Sequence, residues 1–123
     1  MEALFYGVPV VFPMIDGQPE VVEDGVCGVG IVPDVAPEAH QALTGINVNF
    51  PYDVYSPEQD RLVSPMLMDH HAVANAVIKI AGDDYATWRA NAFAHVAQHF
   101  DYKNFISEFN ATILEVVDEN NKK

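Results

Sequence analysis

The chain is poor in cysteine, in basic residues and in long apolar runs, and each scarcity removes a class of function. Of its 123 residues only Cys27 is a cysteine, so no internal disulfide can form and no thiolate metal cluster can be assembled. A reducing cytosol fits that usage, and a cytoplasmic location is expected. Lys and Arg together number 6 against 18 Asp and Glu, a formal net charge of -12. Nucleic-acid grooves need clustered cations to displace counterions from phosphates, so no nucleic-acid partner is expected, and an anionic membrane surface is disfavoured for the same reason. No stretch approaches the roughly 20 apolar residues that span a bilayer, and the N-terminus lacks the basic start and apolar run of a signal peptide. There is no Asp-x-Asp pair with flanking acids to hold a diphosphate-bound metal, no internal repeat and no low-complexity tract.

What remains is the composition of a folded domain. Half the residues are apolar and a fifth are charged, and a chain of this size buries roughly two-thirds of its unfolded surface. One domain is expected over residues 1–117, followed by a polar, frayed tail over 118–123.

Residues 2 to 6 are good helix formers. Gly7 can close that helix in the left-handed conformation and Pro9 forbids its continuation. Val8 to Phe12 is an apolar, β-branched run of the kind found where a parallel strand is covered on both faces. Pro13 to Gly17 is then the loop at the strand's carboxyl end, where open α/β sheets bind their ligands. Pro19 to Glu23 reads as a short helix with Pro in its first turn, Asp24-Gly25 as a turn, and Gly28 to Val32 as a second buried strand.

From Pro33 to about Met68 prolines interrupt the pattern, and only Tyr52 to Tyr55 and Arg61 to Val63 suggest structure. Loops this long are uncommon inside compact domains, so the segment 33–68 reads as an insertion. Three helices follow. Asp69 caps one from His70 to Ala81 with Val73, Val77 and Ile80 on one face. Asp83 or Asp84 caps a second with Tyr85, Trp88, Ala92 and Val96 aligned, reaching about Phe100. A third from Tyr102 to Val117 carries Ile106, Phe109, Ile113 and Val116 on a stripe. Trp88, Phe93, Phe100, Phe105 and Phe109 are expected in the core rather than as a base-stacking platform. Cys27 is expected to be a small buried hydrophobe.

Glu2-Ala-Leu-Phe-Tyr-Gly-Val-Pro-Val-Val11, followed by Asp16-Gly-Gln-Pro-Glu-Val-Val-Glu-Asp-Gly-Val-Cys-Gly28, resembles the C-terminal domain of retaining glycosyltransferases with two Rossmann-like domains, the GT-B fold of glycosyl transferases group 1. Members read Glu-Ala-Met-Ala-x-Gly-x-Pro-Val-Val, then Gly-Gly-x-Pro-Glu-x-Val-x-Asp-Gly-x-x-Gly. The spacing from Gly7 to Glu20 matches without a gap. The likeness is specific over about thirty residues, the closing helices resemble the family more loosely, and 33–68 has no counterpart. The resemblance implies an α/β fold, a partial Rossmann-like three-layer domain with parallel strands followed by C-terminal helices. It also implies a nucleotide-diphosphate sugar donor, an acceptor that the sequence does not identify, and transfer with retention. No cofactor or metal is implied.

Site residues follow from the same likeness. Glu2 would accept hydrogen bonds from the donor ribose, since a carboxylate can take both vicinal hydroxyls in charge-assisted bonds; its plain reading is a solvated terminal side chain. The loop Asp16, Gly17, Gln18 and Pro19 would meet the sugar. Asp16 stands where the family has the first of two glycines, and either crowds that position or offers a carboxylate to a sugar hydroxyl. The family's upstream glutamate and diphosphate cradle would precede Met1, so the chain is expected to be cut from a longer enzyme, with an N-terminal domain that its last helix packs towards, and to be inactive alone. A non-catalytic module of the same fold is the alternative. A fragment of a related inverting enzyme, recognised by Asp-Gln-Pro, needs a one-residue gap. Glu20 is expected to stabilise a helix start. His95 and His99 have a two-ligand spacing but no third ligand in sequence, and His70-His71 is expected to be solvated. Such a chain must also cover apolar surface, by dimerising or aggregating, so its oligomeric state stays open.

Overall fold

The structure is a computed structural model that describes residues 1–47, 49, 53–82 and 84–121, with side chains to Asp118. Among the described residues it is a mixed α/β chain, mostly helical, with two small two-stranded sheets, one of them parallel.

The first quarter follows the local signals. Helix α1 (Glu2–Phe5) ends in a Schellman arrangement, in which Gly7 N–H donates to the Leu4 carbonyl at 2.9 Å and Val8 N–H to the Ala3 carbonyl at 2.8 Å. Gly7 supplies the left-handed φ of 68° that this closure requires. Strand β1 (Val10–Pro13) pairs in parallel with β2 (Gly28–Ile31), Val10 opposite Gly28 and Pro13 opposite Ile31. Between them lie α2 (Gln18–Val21) and the expected turn, with Gly25 at φ 75°. Coverage of β1 is thinner than its composition suggests: Phe12 is buried while Val10, Val11 and Pro13 are half-buried. With two strands in the sheet, both are edges, and the apolar pattern outruns the layers present.

Gly28 is fixed by packing. A Cβ there would sit 2.5 Å from the Val10 carbonyl oxygen and 2.7 Å from a Val22 methyl, so the strands meet at this distance only because the side chain is absent. The core gathers around the same point, with Leu4, Phe12, Val22, Cys27 and Ala92 buried and Val10, Met14, Val21 and Val96 packed against them.

The segment 33–68 holds more structure than its prolines indicate. Helix α3 (Pro37–Thr44) starts with Pro in its first turn and stops at Gly45, φ 72°. Strands β3 (Val54–Ser56) and β4 (Arg61–Val63) form an antiparallel hairpin, while Tyr52 lies outside the described residues. Val35 and Leu67 close the neck of the excursion, each N–H donating to the other's carbonyl at 2.9 and 2.8 Å.

Helix α4 (His70–Gly82) is capped by Asp69, whose Oδ1 accepts from Ala72 N–H at 2.9 Å. It buries Ala76 and Ile80 rather than Val77, which is 52% exposed, because it packs on β1, β2 and α5 at once. Helix α5 (Tyr85–His99) is capped by Asp84 and buries Trp88 and Ala92; the alternative cap Asp83 lies outside the described residues. Helix α6 (Tyr102–Asn121) runs past Val117 into the expected tail.

The aromatic core is corrected. Trp88 is buried, but Phe93, Phe105 and Phe109 are about half exposed. Phe93 packs over Gly7 at the end of α1 yet leaves about half of its ring exposed, and α6 packs closely on none of the other described elements. Among the described residues no helix is long and apolar enough to cross a membrane.

Candidate functional site

Strand β1 delivers the loop Asp16 to Pro19 at its carboxyl end. Met14 N–H extends the parallel pairing by donating to the Ile31 carbonyl at 2.8 Å, and Ile15 N–H turns the chain onto the Pro13 carbonyl at 2.9 Å. The next residue departs from the expected division of labour. Asp16 takes the left-handed conformation, φ 50°, whereas Gly17 has an ordinary φ of -78° with open space around its Cα. Asp tolerates that region better than most side chains because its short carboxylate bonds locally.

Here that carboxylate is occupied. Asp16 Oδ1 accepts from Tyr55 N–H at 2.9 Å while Asp16 N–H donates to the Tyr55 carbonyl at 2.8 Å. The loop is therefore pinned to β3, and the hairpin stands against the carboxyl end of β1. Tyr55 is fixed in turn by its phenol, which donates to Asp60 Oδ1 at 2.7 Å; that bond holds the phenol pKa above its ordinary value.

Gln18 and Pro19 enter α2, with Gln18 exposed and Pro19 half-buried. Glu20 lies in the first turn of α2, as a helix-start carboxylate should. Glu2 is the first residue of α1 and its side chain is exposed. Asp16, Gly17, Gln18 and Pro19 thus form one contiguous surface, and Glu2 reaches the structure from a separate element.

Beside the loop is a cleft of about 650 Å³ lined by Pro19, Glu20, Glu23, His95, Gln98, His99 and Phe100. Of the expected site residues only Pro19 lines it. The His95 side chain is 10% exposed, against 57% for its neighbour Glu23. Its Nε2 lies 3.0 Å from the Val21 carbonyl, which can only accept, so the proton sits on Nε2. Its Nδ1 faces Glu23 Oε2 at 3.6 Å. One turn earlier Asn91 Nδ2 donates to the Val26 carbonyl at 3.1 Å. Helix α5 therefore grips the segment from Val21 to Val26 at both ends, and His95 is a strut holding α2 in place. Among the described residues no group of three His, Cys, Asp or Glu side chains is placed to hold a metal ion.

Glu20 and Glu23 carried no signal of proximity to the His95–His99 pair. Their meeting depends on α5 lying across α2, a contact 74 residues apart in the chain, and only the four-residue step from His95 to His99 hinted at a shared face. Cys27 is where it was expected. It is fully buried, its thiol pushed up by desolvation, with Sγ accepting from Glu23 N–H at 3.3 Å.

Against family models, curated proteins and solved structures, the chain finds no match.

Proposed function

We propose that this chain contributes part of the donor-binding side of a retaining GT-B glycosyltransferase, a Rossmann-like half-domain whose loop Asp16 to Pro19 meets the sugar and whose Glu2 holds the ribose. One observation supports the reading: a helix bearing Glu2, a parallel strand, a loop at its carboxyl end and a second parallel strand follow in the order the motif requires. In that reading catalysis rests on electrostatic stabilisation of the leaving diphosphate by groups outside this chain. The chain alone binds donors weakly and turns none over.

A second reading, a non-catalytic module of the same fold, is favoured by the engagement of Asp16 with Tyr55, which leaves the loop satisfied by its own chain.

Titration of the isotope-labelled chain with uridine and guanosine diphosphate sugars separates the two. Amide shifts at Glu2 and at Asp16 to Pro19 together, saturating with a Kd on the order of 1 mM or tighter, support the donor site. Shifts confined elsewhere, or none at about ten times that concentration, remove it from this chain.

A further inference from the structure

Among the described residues, two apolar surfaces each have the form the other needs. The first is a groove of about 540 Å³ lined by Phe5, Tyr6, Phe93, Val96 and Ala97. Phe5 and Tyr6 are 61% and 70% exposed. Phe93 forms its wall, the ring lying so close over Gly7 that a Cβ there would come within 2.5 Å of it. The second is the stripe on α6, where Phe105, Phe109, Ile113 and Val116 recur at helical spacing and are all about half exposed. An amphipathic helix in an apolar groove is a recurrent mode of association.

We propose that two copies of this chain exchange α6, each helix lying in the other copy's groove between α1 and α5. Charge supports the pairing. Arg89 lies one turn before Phe93 on the same side of α5, while Glu108 and Glu115, seven apart, run along one flank of the α6 stripe; all three are exposed. Area supports it too. With Phe5, Tyr6, Phe93, Phe105 and Phe109 each roughly half exposed or more, each leaves on the order of 100 Å² still to bury. With Ile113 and Val116 a filled groove removes on the order of 700 Å² from water, and two filled grooves fall within the roughly 1,200–2,000 Å² of stable interfaces.

The connection permits the exchange. Phe100 N–H closes α5 on the Val96 carbonyl at 2.9 Å, and Lys103 N–H opens α6 on Asp101 Oδ1 at 2.9 Å. The two helices are thus separately terminated around a two-residue hinge, and short hinges favour swapping. The net charge of -12 opposes association, so the dimer strengthens as salt shortens the screening length, about 8 Å at 0.15 M.

Sedimentation velocity on the whole chain tests this, with Tyr6→Glu to spoil the groove and Phe109→Glu to spoil the stripe. Both sites are exposed, and circular dichroism checks that helix content is kept; Tyr6→Ser and Phe109→Ser replace any variant that loses it. The wild type is expected as a dimer, each variant alone as a monomer, and an equimolar mixture of the two as a weaker dimer through its one intact groove. A wild type that stays monomeric to about 0.5 mM overturns the proposal, whether α6 folds back on its own groove or another protein fills it. A dimer that survives Tyr6→Glu overturns it in favour of α6 pairing with itself. A mixture that stays monomeric overturns the exchange.

Discussion

Asp16 and Tyr55, 39 residues apart, hold each other by two hydrogen bonds, one from each backbone N–H, so that a strained loop residue and the edge of a hairpin become one unit. The left-handed φ of Asp16 costs about 1–2 kcal/mol for a side chain without a local partner. Its carboxylate bond to Tyr55 offsets that by about 1 kcal/mol. Asp16→Asn keeps an acceptor and the tolerance for this conformation, Asp16→Gly relieves the strain but loses the acceptor, and Asp16→Ala loses both. Amide exchange at Tyr55 is expected to speed up little for Asn, several-fold for Gly and about tenfold for Ala, the size of one net hydrogen bond. Equal exchange in all three would mean that the hairpin docks without Asp16.

Gly28 and Gly30 both lie in β2, and a methyl group added to each should have unequal effects. At Gly28 the added Cβ meets a backbone carbonyl, Val10 O, that is itself part of the sheet. At Gly30 it meets the thioether of Met14, a flexible side chain able to swing aside. Gly28→Ala is therefore expected to lower stability by about 2–4 kcal/mol and Gly30→Ala by about 1 kcal/mol or less. Chemical denaturation of the two variants checks the order; a Gly30 variant worse than the Gly28 variant would contradict the strand spacing.

The contrast between these two regions explains what could be read from sequence. The path from α1 to β2 was legible because each step had a local signal: Gly7 for the left-handed cap, the valine run for the strand, Pro19 and Asp24-Gly25 for the turns. Helix α3 had Pro37 and Gly45 at its ends, but its residues are exposed or half-buried, so no apolar period marked it. The Asp16 to Tyr55 contact and the cleft at His95 are long-range, and no spacing along the chain reports them. The α6 stripe was legible as a periodicity; that Phe105, Phe109, Ile113 and Val116 stay about half exposed was not, since the pattern tells which face wants cover and not what covers it.

Cys27 should be chemically silent. It is fully buried and desolvation raises its thiol pKa, so both access and thiolate fraction are reduced. Alkylation at pH 8 is expected to be on the order of 100-fold slower in the native chain than in denaturant, with access set by opening of the surrounding core. Comparable rates in the two states would place Cys27 outside the packed core. Because Gly28→Ala disturbs the adjoining strand, it should also speed this labelling, linking the two measurements.

The helix caps set the acid limit of the helical half. The Thr87 hydroxyl donates to Asp84 Oδ2 at 2.7 Å and Ala86 N–H donates to Oδ1 at 3.1 Å, which holds the Asp84 carboxyl below its usual range. At Asp69 the bond from Ala72 N–H acts in the same direction. A carboxyl whose folded pKa is depressed contributes stability that is complete above its unfolded value, about 4, and is lost as pH falls through the lower folded value. Helicity is therefore expected to hold from pH 7 to about 5 and to decline below 4. In Asp84→Asn, whose amide oxygen still caps but does not titrate, part of that decline should vanish. Asp84→Ala should lower the melting midpoint by a few degrees at pH 7 and lose less on acidification than the wild type. Circular dichroism at 222 nm as a function of pH, on wild type and both variants, decides it. An acid transition identical in all three would show that the carboxylate of Asp84 has no part in the acid limit.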